Sequence, residues 1–297
     1  MSAPTFTTSF QRIGESTLSR VPPWRIASLV PSLTEALVDL GLGPWLVART
    51  GFCIHPKDAL ASVPKVGGTK DVNLRKLRQL APTHVLVNPD ENLQHVAQEI
   101  ASFAEVVVIH PCTVRDNLGL WQTLSEVFGS APGVMARAHA RIGALQALLE
   151  EAAAAKWPER HVLYAIWRDP WMTCARDTYL SSMLRVVNWR TWPEVQGGPV
   201  GASRYPAFQW SDIPRGGIHE VLLSSEPYRF VPADEAPLQR ELAGMGHDLR
   251  VSWVDGELCS WYGPRVLEGL RMLMGLARER EADSLFADPC RGQVVSA

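Results

Sequence analysis

The sequence predicts an α/β protein of two lobes joined by one long helix. Two observations carry that expectation. Residues 130–157 (SAPGVMARAHARIGALQALLEEAAAAKW) favour a helix at nearly every position. On either side of them, short β-branched runs alternate with helical segments, the pattern that builds parallel sheets with helices on their faces. The size agrees, because 297 residues at 46% hydrophobic content can fill two cores.

The long helix can be capped by Ser130; Pro132 sits early, where a missing N–H costs nothing, and Pro158 forbids continuation. Val134, Ala138, Ile142, Leu145, Leu149 and Ala152 recur at spacings of three and four and make one apolar stripe. About 25 residues at 1.5 Å each reach about 37 Å, more than a domain core needs, so this helix reads as a rigid strut. One unusually long helix within a single α/β domain is the plainer alternative.

Residues 1–24 read as a loosely attached arm and 25–129 as the first lobe. In that lobe, strands are expected at 25–30 (RIASLV), 46–50, 84–88 and 105–109. Helices follow at 35–40, opened by Ser32 or Thr34, at 73–80, up to about 103, and from about 114 to 128. Past the strut (130–158), the second lobe (159–280) repeats the pattern, with strands at 161–167, 220–224 and 249–254 and a helix at 178–187. A Trp/Pro/Gly-rich connection leads to a helical turn near Asp212, Ser260-Trp261-Tyr262-Gly263 open a last helix that runs to about Arg280, and 281–297 form a tail.

A net charge of -2 leaves no electrostatic footprint for nucleic acid. No stretch approaches the ~20 apolar residues of a membrane span. The five cysteines contain no C-x-x-C pair and read as reduced thiols. Residues 1–20 lack the apolar core of a secretory signal, so the chain as it stands reads as cytoplasmic, and as periplasmic if an export signal lies outside it. Eleven tryptophans crowd toward the second half; most suit packing, and an aromatic-lined cleft could use several.

Open α/β sheets bind ligands beyond the carboxyl ends of their strands. The first lobe offers Ser32, Phe52, Cys53, His55, Lys70, Asn88, Glu91, Asn92 and Cys112 there, and the second Trp167, Arg168, Trp171, Arg204, Glu226, Asp255, Glu257, Trp261 and Tyr262. Two such sets predict a ligand cleft between the lobes. Cys53 and His55 beside Glu91 could ligate a metal, or Cys53 is a small buried hydrophobe and His55 a turn residue before proline. The GGTK run ending at Lys70 could cradle an anion or be a plain turn. Arg168, Arg176 and Arg204 could meet ligand carboxylates, or pair with Glu226 and Glu257. Alternation places one of Trp167 and Trp171 in the core and the other on a ligand. Trp261 and Tyr262 either lock the last helix against the sheet or stack on ligand.

The segments RIASLVPSLTEAL, PKVGGTKDVNLRKL, APTHVLVN, DEN, RYP, LLSSEP and VDGELCSWYG, spread over about residues 25–280, resemble the helical-backbone metal receptor family. These are the class III substrate-binding proteins of cobalamin and iron-chelate ABC importers. The resemblance implies two Rossmann-like lobes on a rigid backbone helix, a corrinoid, haem or metal chelate held without turnover, and an ABC permease as partner. It also exposes departures. The family's first-lobe aromatics would fall near Phe52, Thr69 and Asn88, only the first of them aromatic, and its docking carboxylate at Arg75, whereas the counterpart near Asp212 is acidic. A smaller, charged ligand is therefore expected in preference to cobalamin. The alternatives are an intracellular metal-handling or chelatase-like enzyme using Cys53, His55, Glu91, Glu226 and Glu257, and a cytosolic ligand sensor.

Overall fold

The computed structural model describes residues 10–13 and 22–286. The chain divides into two compact units, unit 1 from Met1–Gln146, Gly197–Arg204 and Trp261–Val266, and unit 2 from Ala147–Gln196, Tyr205–Ser260 and Leu267–Ala297.

Unit 1 is built on β1 (Phe10–Ile13), β2 (Ile26–Ser28), β3 (Leu46–Arg49), β4 (His84–Val87) and β5 (Glu105–Ile109). Helices α1 (Pro31–Asp39), α2 (Leu74–Gln79), α3 (Gln94–Ile100) and α4 (Asp116–Phe128) alternate with β2 to β5. The sheet order is β1-β5-β4-β2-β3, parallel except for β1. The runs HVLV and EVVVI are buried throughout, as strands of a sheet covered on both faces must be. From β2 the chain steps outward to β3 and then returns to β4 on the other side of β2. That reversal opens a crevice at the carboxyl ends of β2 and β4.

After α5 (Val134–Ala154), unit 2 runs β6 (Arg160–Ala165), α6 (Tyr179–Arg185), β7 (Trp189–Thr191), β8 (Glu220–Ser224), α7 (Glu235–Gly244), β9 (Arg250–Val254), α8 (Gly256–Ser260) and α9 (Val266–Phe286). Its sheet is wholly parallel in the order β7-β6-β8-β9, so the reversal falls between β6 and β8. One face packs Leu163, Ala165, Val221, Leu223 and Val251 against Phe208, Trp210, Phe230, Leu238 and Leu242.

The apolar stripe of α5 is real: Val134, Ala138, Leu145, Leu149 and Ala152 are buried, and only Ile142 is half-exposed. The helix is shorter than 130–157 because Gly133 adopts φ +79°, which ends the preceding turn and leaves Val134 as the first helical residue. Arg137 of α5 donates to the Leu40 carbonyl at the end of α1, and Arg141 pairs with Asp39, so the start of α5 is fastened to α1 by the last carbonyl and carboxylate of that helix.

Four expectations need correction. Phe10–Ile13, assigned to a loose arm, is an edge strand pairing antiparallel with β5; the rest of 1–21 and 287–297 lies outside the described residues. Pro31 itself begins α1 and no side chain caps it, so neither Ser32 nor Thr34 opens that helix. The Trp/Pro/Gly-rich connection contains β7, three residues paired on the edge of β6, and α7 also escaped the pattern reading. Finally, residues 260–263 do not open the last helix: α8 ends at Ser260, Gly263 turns at φ +85°, and α9 starts at Val266 and continues to Phe286, past residue 280.

Candidate functional site

In unit 1 the crevice is framed by amide clamps. Asn88, just past β4, donates to the Ile109 carbonyl (3.0 Å) and the Tyr262 hydroxyl (2.9 Å), and its Oδ1 accepts from the Asp90 N–H (2.7 Å). Asn92 accepts from the Asn88 N–H (2.9 Å) and donates to the carbonyls of Leu29 (3.3 Å) and Thr69 (3.0 Å). Both amides are buried and hold the loops after β2, β4 and β5 together; they are not presented to a ligand. Ser32 is buried as well and bonds the Tyr262 hydroxyl, whose burial raises its pKa well above the ordinary value. Gly263, at φ +85°, donates its N–H to Asn117 (2.7 Å), and this left-handed turn is what brings Trp261 and Tyr262 back onto unit 1. Tyr262 is thus a lock.

The exposed members are different residues. Phe52 is 62% exposed and Ile54 is 52% exposed, while half-buried His55 meets the Trp261 ring edge-on at 5.9 Å. The Arg265 guanidinium lies over the Trp261 ring, 4.7 Å from its centroid, and is held by Glu35 at 2.7 Å. Exposed Lys70 donates to the Asp90 carbonyl (2.6 Å), and Glu91 is half-buried beside it in sequence order along the β4 loop. Arg75 is exposed on α2.

The structure does not join Cys53 to His55. Cys53 is fully buried, with its sulfur 3.1 Å from the Thr50 hydroxyl, and burial pushes its thiol up, against the thiolate a metal needs. Among the described residues no group of three His, Cys, Asp or Glu side chains could hold a metal ion.

A cluster that sequence reasoning did not assemble lies past β4 and β5. His110 Nε2 stands 3.2 Å from Asp90 Oδ2, and Arg204 Nε 3.4 Å from the same oxygen. Burial opposes the charge of His110, but hydrogen bonds with Asp90 and Cys112 and their charges outweigh it and raise its pKa from 6.5 to about 9. The Arg204 side chain is 2% exposed and donates to the Gly198 carbonyl (2.7 Å). Arg204 is therefore a buried tie that draws Gly197–Arg204 into unit 1, and not an open ligand contact. The strand-end position of His110 was the available signal; the partner Arg204, 114 positions from Asp90, gave none.

In unit 2 the β6–β8 reversal carries an aromatic and cationic edge. Trp167 is 40% exposed and meets Tyr228 edge-on at 5.6 Å. Trp171 instead stacks on Phe230 (5.8 Å, 6° between planes) and touches Trp210 at 4.9 Å, within the core layer. Exposed Arg168 reaches back over Trp171 at 5.5 Å. Glu226 accepts from the Ser260 hydroxyl (2.7 Å), joining the β8 loop to α8, and half-buried Glu257 lies in the first turn of α8. Arg176 pairs with Glu194 at 2.7 Å rather than with Glu226 or Glu257.

Two doubly wound α/β units, with a 21-residue helix whose residues pass from one to the other, make the fold of the class III periplasmic binding proteins. The vitamin B12 binding protein BtuF of Vibrio cholerae shares it with TM-score 0.70 at 19% identity, over 87% of this chain and 98% of that one. A periplasmic haem-binding protein from Pseudomonas aeruginosa does so with TM-score 0.66 at 22% identity, over 85% and 91%. In sequence the chain is similar to YvrC of Bacillus subtilis (strain 168), described as an uncharacterized ABC transporter substrate-binding lipoprotein. The two are 27% identical over 286 residues, 90% of this chain and 81% of the relative. No protein-family model matches the chain. No described helix is long and apolar enough to cross a membrane.

Proposed function

We propose that this chain is the ligand-binding component of an ABC importer and takes up a metal chelate of the haem, corrinoid or iron-chelate kind without transforming it. The observation that carries this reading is the exposed edge at the β6–β8 reversal, where Trp167 and Tyr228 offer ring surface and Arg168 a guanidinium. Unit 1 offers the same combination in Phe52, Trp261 and Lys70. Rings beside fixed cations suit a planar chelate bearing carboxylates better than the broad apolar rim of a corrin. Similarity to a B12-binding and a haem-binding protein supports the ligand class, and similarity to a substrate-binding lipoprotein supports a permease partner and a place of action outside the cytoplasmic membrane.

Exposed Arg75 stands where the resemblance places a docking carboxylate, so the matching permease surface would carry an acid there. Native mass spectrometry of the purified chain, with metal analysis of the same sample, tests the reading. One chelate per chain with its metal in place is expected. A chelate whose metal is gained or lost on standing with the protein would favour the chelatase alternative.

A further inference from the structure

The Asp90–His110–Cys112 arrangement also has a chemistry that ligand binding does not use. Among the described cysteines, Cys53, Cys174 and Cys259 are buried and only Cys112 is partly exposed. Burial pushes the Cys259 thiol up to about 12, and that of Cys53 up as well. Cys112 is not isolated. Its sulfur lies 3.6 Å from His110 Nε2 and 3.8 Å from Nδ1, and Asp90 grips the same ring at 3.2 Å. The backbone around the sulfur is fixed too, because Asp116 accepts from the N–H groups of both Cys112 (2.9 Å) and Thr113 (2.8 Å). His110 keeps its proton to about pH 9, so at neutral pH an imidazolium faces the sulfur.

We infer that Cys112 is a modification site, a nucleophilic thiol that exchanges with small disulfides while its charge is balanced by His110 and the ring is positioned by Asp90. In the step, the thiol proton passes to water and the Cys112 sulfur attacks one sulfur of the disulfide. The S–S bond breaks, and the departing thiolate carries away the electron pair. The disulfide is the oxidant, and a mixed disulfide at Cys112 is the product. The geometry is independent of the proposed ligand, so the inference stands or falls apart from the importer reading.

The probe is 5,5′-dithiobis(2-nitrobenzoate), which releases a coloured thiolate, with the labelled peptide located by mass spectrometry. At pH 7 the full folded chain is expected to label at Cys112 before the buried Cys53, Cys174 and Cys259, and faster than the same cysteine labels in the chain unfolded in guanidinium. Cys112→Ser should abolish that phase. His110→Gln, checked for folding by circular dichroism, should slow it by about tenfold, and Asp90→Asn should slow it less. A folded-chain rate no faster than the unfolded one would overturn the inference without any variant. So would a His110→Gln rate within twofold of wild type.

Discussion

Replacing Asn88 by alanine separates the structural account of the β4 loop from a ligand-contact account. The side chain makes three hydrogen bonds, two from Nδ2 to Ile109 and Tyr262 and one into Oδ1 from Asp90, in a place from which water is excluded. Each buried bond is worth about 0.5–1.5 kcal/mol net, and partners left unpaired raise the loss, so about 3–5 kcal/mol of stability should disappear. Asn88→Asp should fare little better, because it keeps the acceptor for Asp90 but turns a carboxylate oxygen toward the Ile109 carbonyl. Urea unfolding followed by circular dichroism measures both. A loss under about 1 kcal/mol, with ligand affinity falling instead, would refute the clamp and make Asn88 a ligand contact.

Three further outcomes follow from the same geometry. Arg204→Met should destabilise by about 1–3 kcal/mol by leaving half-buried Asp90 with His110 as its remaining cationic partner, and adding Asp90→Asn should recover part of the loss in a double-mutant cycle by urea unfolding. The pKa of His110 is raised from 6.5 to about 9. Its contribution to stability is therefore complete below about 6.5 and is lost as pH climbs through about 9, and His110→Gln should flatten stability across that window. A wild-type curve already flat from pH 6.5 to 9 would contradict the Asp90–His110 pairing. Trp167→Ala should weaken chelate binding by about 0.5–1.5 kcal/mol beyond the lost contact area, while Trp171→Ala should chiefly cost stability; calorimetric titration and unfolding of both variants distinguish the two roles.

What was legible in the sequence was whatever local pattern governs. Runs such as EVVVI and EVLLS declare buried parallel strands, and the stripe on α5 declares a helix with one covered face. Trp167 and Trp171 fall outside that rule: alternation would put residues four apart on the same face, and it is the turn between them that leaves the first exposed and stacks the second on Phe230. β7 was hidden because three residues with an exposed arginine in the middle carry almost no periodicity; it exists because the edge of β6 pairs with it. The candidate site was harder to read for a related reason. Strand-end position nominated Asn88, Asn92 and Ser32, but whether a polar side chain faces a ligand or a neighbouring loop depends on long-range partners such as Tyr262 and Ile109. Buried Arg204 shows this most clearly, because its partner Asp90 is remote in sequence.

The most direct test of the central claim is an equilibrium titration of the full chain with haem and with cyanocobalamin, read by tryptophan quenching and followed by recovery of the ligand. Saturable one-to-one binding of the carboxylate-bearing chelate, tighter than that of cyanocobalamin, with the ligand recovered unchanged, is the predicted result. Tighter binding of cyanocobalamin than of haem, or recovery of a chemically altered chelate, would contradict it.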